Sequence, residues 1–178
     1  MFTYLRLAER DGGPDALAKV RLCAERMRGI VDVARDFARA DGEPQAFDLS
    51  LAAESAATRL RDAVEIDLAL GEPHPAAVPA AAGAFLVAAV LRGVAGGAAA
   101  PRRVPVAIDA APGRVLLRVG FDGAVDGARP VDALAPSRLS FDLWLAALIA
   151  EAAGGTLRVA AHGDELAVEV DLPAAEAP

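Results

Sequence analysis

Residues 146–159 read AALIAEAAGGTLRV, and this stretch is the most informative part of the sequence for the fold. An alanine- and leucine-rich run leads into Gly154-Gly155, and a β-type segment, Leu157-Arg158-Val159, follows. Because helices often end at a glycine in a left-handed conformation, the stretch predicts a helix over 139–153, a sharp turn and a strand. A second strand, Leu166–Leu172, is expected to complete a hairpin around residues 162–164.

Upstream of this stretch, strand patterns alternate with helix patterns from Pro44 onward. Residues with apolar character at every second position, or in short runs bounded by turn residues, predict strands. These segments are Phe47–Leu49, Val64–Leu70, Val104–Ile108 and Val115–Val119. The turn Ala111-Pro112-Gly113 joins the last two into a hairpin.

Two further helices are expected between these strands. One covers 50–61 with Ser50 as its N-cap. The other covers 80–94 with Pro79 in its first turn, where the missing N–H of proline costs nothing. The segment containing Pro73 and Pro75 is expected to be a loop.

The N-terminal 44 residues differ in texture, because their apolar side chains recur at alternating spacings of three and four. The series is Leu17, Val20, Ala24, Met27, Val31, Ala34 and Ala38. This spacing is typical of the seam of a coiled coil or helical hairpin, and Cys23 is interpreted as part of that core. An uncovered seam would expose an apolar stripe, so a homodimer is expected. On the charged outer face, Arg21, Arg28 and Arg35 are predicted to face an acidic partner, and a solvated helix face is the alternative, since Glu25 and Asp32 interrupt the arginines.

Composition limits the function classes. The chain has 178 residues, 54% of them hydrophobic, and a formal net charge of -7. An acidic chain argues against a nucleic-acid partner. The single cysteine and the absence of zinc-type spacings argue against a disulfide or a structural metal. No signal peptide or membrane insertion is predicted, since the most apolar stretch, 80–94, is short and contains Arg92. A cytoplasmic location is therefore expected.

Three segments, in this order, resemble sensor histidine kinases. RMRGIVDVARDFAR (26–39) is similar to the second helix of their dimerising hairpin, AALIAEAAGGTLRV (146–159) to a helix-to-strand passage, and ELAVEVDLP (165–173) to the closing strand. The resemblance implies an α+β protein: a dimerising helical hairpin at 1–44, then a two-layer α/β sandwich of the ATPase (GHKL or Bergerat) type at 45–173. Residues 174–178 are expected to form a flexible tail.

The sequence departs from that family where ATP would bind. In the family, an asparagine on the helix equivalent to 80–94 coordinates magnesium, and this chain contains no asparagine. The Asp-x-Gly-x-Gly motif is replaced by Phe121-Asp122-Gly123-Ala124-Val125, and the Gly-x-Gly-Leu loop by Ser140-Phe141-Asp142-Leu143. The β-branched side chain of Val125 crowds the first of these loops, where the family has glycine. The carboxylate of Asp142 in the second loop repels phosphate. No cofactor, metal or catalytic residue is therefore assigned.

The phospho-acceptor of the family is missing as well. The only histidines, His74 and His162, fall in predicted loops and are interpreted as ordinary loop residues. The resemblance extends to ChpT-type histidine phosphotransferases, which share the layout and have a degenerate nucleotide domain. It favours a non-catalytic pseudo-histidine-kinase or phosphotransferase-like adaptor that binds a signalling partner such as a response-regulator receiver domain. The alternatives are an active phosphotransferase with an unrecognised acceptor and a structural subunit of a larger assembly.

Two further groups of residues have a plain interpretation. Asp122 and Asp126 resemble a pair of metal ligands, but a solvated loop is the favoured interpretation. Phe141 and Trp144 stand at the start of a predicted helix and are expected to lie in the core, with a partner-binding role as the alternative.

Overall fold

The structure is a computed structural model that describes residues 42–62, 64–95, 103–121, 141–162 and 165–175. It also describes four single helical residues, Arg28, Val31, Arg35 and Ala38. The chain divides into two compact units, Met1–Ala38 and Arg39–Pro178. Most of the predicted N-terminal seam lies outside the described residues, namely Leu17, Val20, Ala24, Met27 and Ala34, together with Arg21 and Cys23.

The second unit follows the order of strands and helices expected from the sequence. The described elements are β1 (Gln45–Asp48), α1 (Leu49–Leu60), β2 (Glu65–Leu70), β3 (Pro75–Val78), α2 (Ala80–Ala95), β4 (Arg103–Ala111), β5 (Arg114–Phe121), α3 (Phe141–Ala152), β6 (Thr156–His162) and β7 (Glu165–Pro173).

Five strands form one mixed sheet in the order β2-β4-β5-β7-β6. β2 and β4 are parallel, with Glu65 opposite Arg103, and the other neighbours are antiparallel. The β4–β5 hairpin is confirmed, and its turn has Gly113 at φ 71°. Glycine suits that conformation because it has no Cβ to clash with the carbonyl.

A separate two-stranded ribbon, β1 with β3, corrects the predicted loop around Pro73 and Pro75. Gln45 lies opposite Val78 in an antiparallel register. A strand tolerates proline at its first residue, which is where Pro75 stands. Ala76 and Val78 are fully buried, so β3 also contributes to the core. The two prolines favoured the prediction of a loop, whereas a strand of four residues forms there.

The N-cap of α1 is Asp48 rather than Ser50. The Asp48 carboxylate accepts a hydrogen bond from the Ser50 backbone N–H at 2.8 Å. Both residue types are good N-caps. Because α1 begins at Leu49, directly after β1, Asp48 occupies the N-cap position and its carboxylate reaches the free N–H of Ser50. The cap was therefore placed two residues too late.

The turn after α3 has the geometry that its two glycines predict. Gly154 has φ +72°, its N–H donates to the Glu151 carbonyl at 3.0 Å, and the Gly155 N–H donates to the Ala150 carbonyl at 2.7 Å. This pair of bonds is the Schellman arrangement of a helix end. The chain remains hydrogen-bonded beyond Pro173, since the Ala174 N–H donates to Gly113 and the Ala175 N–H to Pro75.

The three helices pack against the sheet and against one another, with α2 next to both α1 and α3. In β4 and β5 the buried residues alternate with less buried ones along most of the strand, as expected for a sheet with one covered face. The fully or almost fully buried set includes Val104, Val106, Val115, Leu117, Val119, Val168, Val170 and Leu172. The predicted α+β two-layer sandwich is confirmed. None of the helices in the described ranges has the length and apolar character needed to cross a membrane.

Candidate functional site

The outer face of α2 is the first part of the candidate site. Between its two terminal residues, the side chains that are not buried recur at helical spacing as Ala81, Ala84, Ala88 and Arg92. Three of these are methyl groups, and the fourth is a guanidinium that can only donate hydrogen bonds. This face therefore offers one cation and no side-chain oxygen.

Arg92 is held by Asp142, which lies in the first turn of α3. The Arg92 Nε donates to the Asp142 Oδ1 at 3.0 Å, and the two side chains are 35% and 25% exposed. The guanidinium carbon also lies 5.8 Å from the centroid of the Phe85 ring, within range of a cation–π contact. The Arg92 Nη2 is buried, and no hydrogen-bond partner for it exists in the part of the chain that the structure describes. We call this pair the α2–α3 ion pair.

Phe141 and Trp144 are not in the core, so that prediction is wrong. They are 38% and 41% exposed, and their rings pack at a centroid distance of 5.6 Å with an interplanar angle of 39°. The inward positions of α3 are filled by smaller and aliphatic side chains, namely Leu143, Leu145, Ala146, Ile149 and Ala150. The aromatic pair therefore lies on the outer face beside Asp142.

The structure describes only some of the other predicted site residues. Phe121 ends β5 and is half-buried, whereas the residues that follow it in the replaced motif, and Ser140, lie outside the described residues. The same holds for Asp126. His74 is half-buried just before β3, and the side chain of His162, at the end of β6, is outside what the structure describes. Among the described residues, no His, Cys, Asp and Glu side chains gather closely enough to hold a metal ion.

The four described N-terminal residues all belong to the predicted seam and partner-facing set, and the fourth, Ala38, is exposed. Val31 is 55% exposed in the single chain, and Arg28 and Arg35 are exposed as well. All three are helical, at spacings of three and four. An apolar side chain and two cations therefore share one outward face of this helix, so the predicted separation of an apolar seam from a charged outer face is not seen at these positions.

The face of the sheet away from the helices has a row of ion pairs that the sequence analysis missed. Glu169 on β7 is only 3% exposed, and it accepts from Arg118 on β5 at 3.2 Å and from Arg158 on β6 at 2.9 Å. Register places all three residues directly opposite one another. Arg114 pairs with Asp171 at 2.8 Å on the diagonal, since the residue directly opposite Asp171 is Leu116. The alternating charges along these strands were the available indication, since residues two apart share a face.

An open cleft of about 420 Å³ lies where α1 ends and β2 begins. One cation and one carboxylate are present there, without the converging polar groups that fix a small ligand. Its lining residues are Ala57, Thr58, Arg61, Val64, Glu65 and Ile66.

No protein-family model matches the sequence, and no curated protein sequence matches it either. Solved structures do match. One is the Acinetobacter baumannii histidine kinase AdeS, with TM-score 0.72 and 14% identity over 96% of this chain and 91% of that one. Another is the mycobacterial sensor histidine kinase MprB, with TM-score 0.57 and 20% identity over 74% of this chain and 98% of that one.

The ATP-binding domain of PrrB from Mycobacterium tuberculosis is similar too, with TM-score 0.61 and 18% identity over 76% of this chain and the whole of that one. At such identities the likeness concerns the fold. The resemblance noted in the sequence is thereby supported at the level of architecture. The chain has the kinase-like fold of histidine-kinase ATPase domains of the GHKL type.

Proposed function

We propose that this protein is a non-catalytic signalling adaptor, a pseudo-histidine-kinase whose α/β unit has lost nucleotide binding and whose helical unit forms a homodimer. The favoured partner is the receiver domain of a response regulator. The observation that carries the proposal is the α2–α3 ion pair, which stands among alanine methyl groups on the surface between these two helices.

The first argument concerns magnesium. Magnesium takes oxygen ligands in a near-ideal octahedron, usually from carboxylates, waters and substrate phosphates. The outer face of α2 offers Ala81, Ala84, Ala88 and Arg92, none of which has a side-chain oxygen. The sequence has no asparagine to supply an amide oxygen elsewhere on this helix. The residues present do not fit a nucleotide-bound magnesium ion.

The second argument concerns phosphate. Asp142 places a carboxylate in the first turn of α3, and Arg92 is already neutralised by it. A phosphate oxygen about 4 Å from that carboxylate would meet a repulsion on the order of 4 kcal/mol at an effective dielectric constant of 20. A triphosphate therefore gains little from Arg92 and loses against Asp142.

The partner proposal depends on charge at the helical unit. Arg28 and Arg35 are exposed on one helical face. Receiver domains, the partners of the family that this chain resembles, surround their phosphorylation site with acidic side chains. Complementary charges mainly raise the association rate and the specificity of such contacts. Val31 is exposed in the single chain on the same helical face and gives the dimer its apolar contact in this proposal, so the dimer contact and the receiver contact are adjacent on that face.

Nucleotide binding is tested by thermal denaturation with and without ATP and magnesium. We expect the melting temperature to stay within about 1 °C at millimolar nucleotide, because only a ligand that binds the native state raises the melting temperature as its concentration increases. A saturable rise, or ATP hydrolysis above a buffer control, would contradict the loss of nucleotide binding.

Partner binding is tested by titrating purified receiver domains from the same organism. We expect Arg28→Glu together with Arg35→Glu to weaken the complex at least tenfold and to reduce its salt dependence. Arg59→Glu, at an exposed position in the last turn of α1, serves as the matched control. Equal weakening by the control would argue against a specific basic surface.

Phosphotransfer separates the adaptor from an active phosphotransferase. A radiolabelled receiver domain is mixed with the wild type, His74→Ala and His162→Ala. The adaptor proposal expects no label on any of the three proteins. Label on the wild type that disappears in one histidine variant would identify the acceptor and replace the adaptor with the phosphotransferase.

A further inference from the structure

We propose that the α2–α3 ion pair is an autoinhibitory contact, in which the Asp142 carboxylate acts as a permanent internal anion that keeps external anions off Arg92. The proposal rests on the proposed function and deepens it, because it names the contact that closes this surface. It also predicts that the surface retains a latent affinity for anions.

The placement of Arg92 is the first observation. The guanidinium is fixed on two sides, by the 3.0 Å bond from its Nε to Asp142 and by the Phe85 ring at 5.8 Å. Its Nη2 is buried without a hydrogen-bond partner among the described residues. A buried donor without a partner is costly, so an acceptor that reaches Nη2 once the Asp142 carboxylate is removed would relieve that cost.

The placement of Asp142 is the second observation. The carboxylate lies in the first turn of the 12-residue helix α3, where free backbone N–H groups and the helix dipole favour a negative charge. The same features attract phosphate to helix N-termini. Asp142 is 50 residues from Arg92 in sequence, and its carboxylate accepts from the Arg92 Nε while it lies in the first turn of α3.

Removing the carboxylate should therefore expose an anion site rather than only weaken the fold. In Asp142→Ala, the Nε of Arg92 loses its partner while Nη2 already lacks one, so two donors converge beside the start of α3. The local charge changes from neutral to positive. An inorganic phosphate ion is the smallest probe that such a site should bind.

The test is thermal denaturation of the full chain in increasing inorganic phosphate, with chloride adjusted to hold ionic strength constant. For Asp142→Ala we expect a saturable rise of roughly 3–6 °C at ten times the dissociation constant. The wild type and the double variant Asp142→Ala with Arg92→Met should move by less than about 1 °C. Asp142→Asn, which keeps the side-chain shape without the charge, is measured in parallel in case the alanine variant unfolds.

Asp171→Ala is the matched control, because it frees Arg114 from an ion pair of similar exposure on the open sheet face. Arg114 keeps carbonyl partners at Gly154 and Asp171, so no phosphate response is expected. A flat response of both Asp142 variants, or an equal response of the control, would overturn the autoinhibitory contact and leave the adaptor proposal standing. Phosphate or nucleotide binding by the wild type would overturn both.

Discussion

The adjacent glycines Gly154 and Gly155 should tolerate alanine very differently, although they occupy one turn. Gly154 has φ +72°, and a Cβ built there meets nothing nearer than Pro173 Cγ at 3.8 Å. Gly155 has no positive φ, but its Cβ would lie 2.9 Å from Leu172 Cδ2 and 3.1 Å from the Ala150 carbonyl oxygen. The Asp171 carbonyl oxygen would be nearer still. One position needs a backbone conformation and the other needs space.

The magnitudes follow from that difference. A left-handed conformation costs an L-residue about 1–2 kcal/mol, which is what Gly154→Ala should lose. Gly155→Ala forces a methyl group against two backbone carbonyls, one on α3 and one on β7, and overpacking of this kind costs about 3 kcal/mol or more where the neighbours cannot shift. β7 is paired on both sides, to β5 and β6, so it has little freedom to move.

The measurement is urea denaturation followed by far-ultraviolet circular dichroism, with the free energy of unfolding taken from the linear extrapolation. Gly154→Asn is the companion variant, because asparagine tolerates the left-handed region and should lose less than alanine there. At position 155, serine should be no better than alanine, since either adds a Cβ. If Gly154→Ala is the more damaging variant, the assignment of dihedral strain to one glycine and steric exclusion to the other is wrong.

Three further predictions concern packing, charge and assembly. Gly83→Ala should lose about 1–3 kcal/mol, because its Cβ would lie 2.6 Å from Phe47 Cε1 and 2.8 Å from Val78 Cγ2; Phe47→Leu in the same chain should restore part of the loss in urea denaturation. Glu169→Gln should lose about 1–3 kcal/mol in the same assay, because the buried carboxylate joins two arginines, whereas Asp67→Asn, which breaks the exposed pair with Arg103, should lose less than about 1 kcal/mol. Val31→Asp should convert the dimer to a monomer in size-exclusion chromatography with light scattering and leave the melting temperature of the α/β unit unchanged, because Val31 is 55% exposed in the single chain; a wild type that is already monomeric would remove the seam interpretation.

Local chemistry explains why much of the fold was predictable. The Gly154-Gly155 helix end, the Pro112-Gly113 turn and the alternating apolar residues of β4 and β5 each carry their own indication in sequence. The short strand β3 was not predicted, because a proline followed by three small residues resembles a loop in sequence. Only the structure shows that Val78 is buried in the core. Asp48 and Ser50 are both good N-caps, and only the path of the chain from β1 decides between them.

The site was less predictable because its contacts are distant in sequence. The Asp142 carboxylate was singled out, yet its partner Arg92 is 50 residues away, and nothing local relates the two. Trp144 was assigned to the core on hydrophobicity, whereas the inward face of α3 is filled by Leu143, Ala146 and Ile149. The hydrophobic character of an aromatic side chain does not by itself show that it is buried, since folded proteins expose much apolar surface.

The position of β7 has a consequence for biosynthesis. Although it is the last strand in chain order, it lies inside the five-stranded sheet, and β6 has β7 as its sheet neighbour. The sheet therefore cannot be completed on the ribosome until residues up to about Ala175 have left the exit tunnel. Until then, the edge of β5 that pairs with β7 stays open and β6 has no sheet neighbour. Nascent chains of this protein should therefore be good substrates for chaperones that bind exposed β-edges.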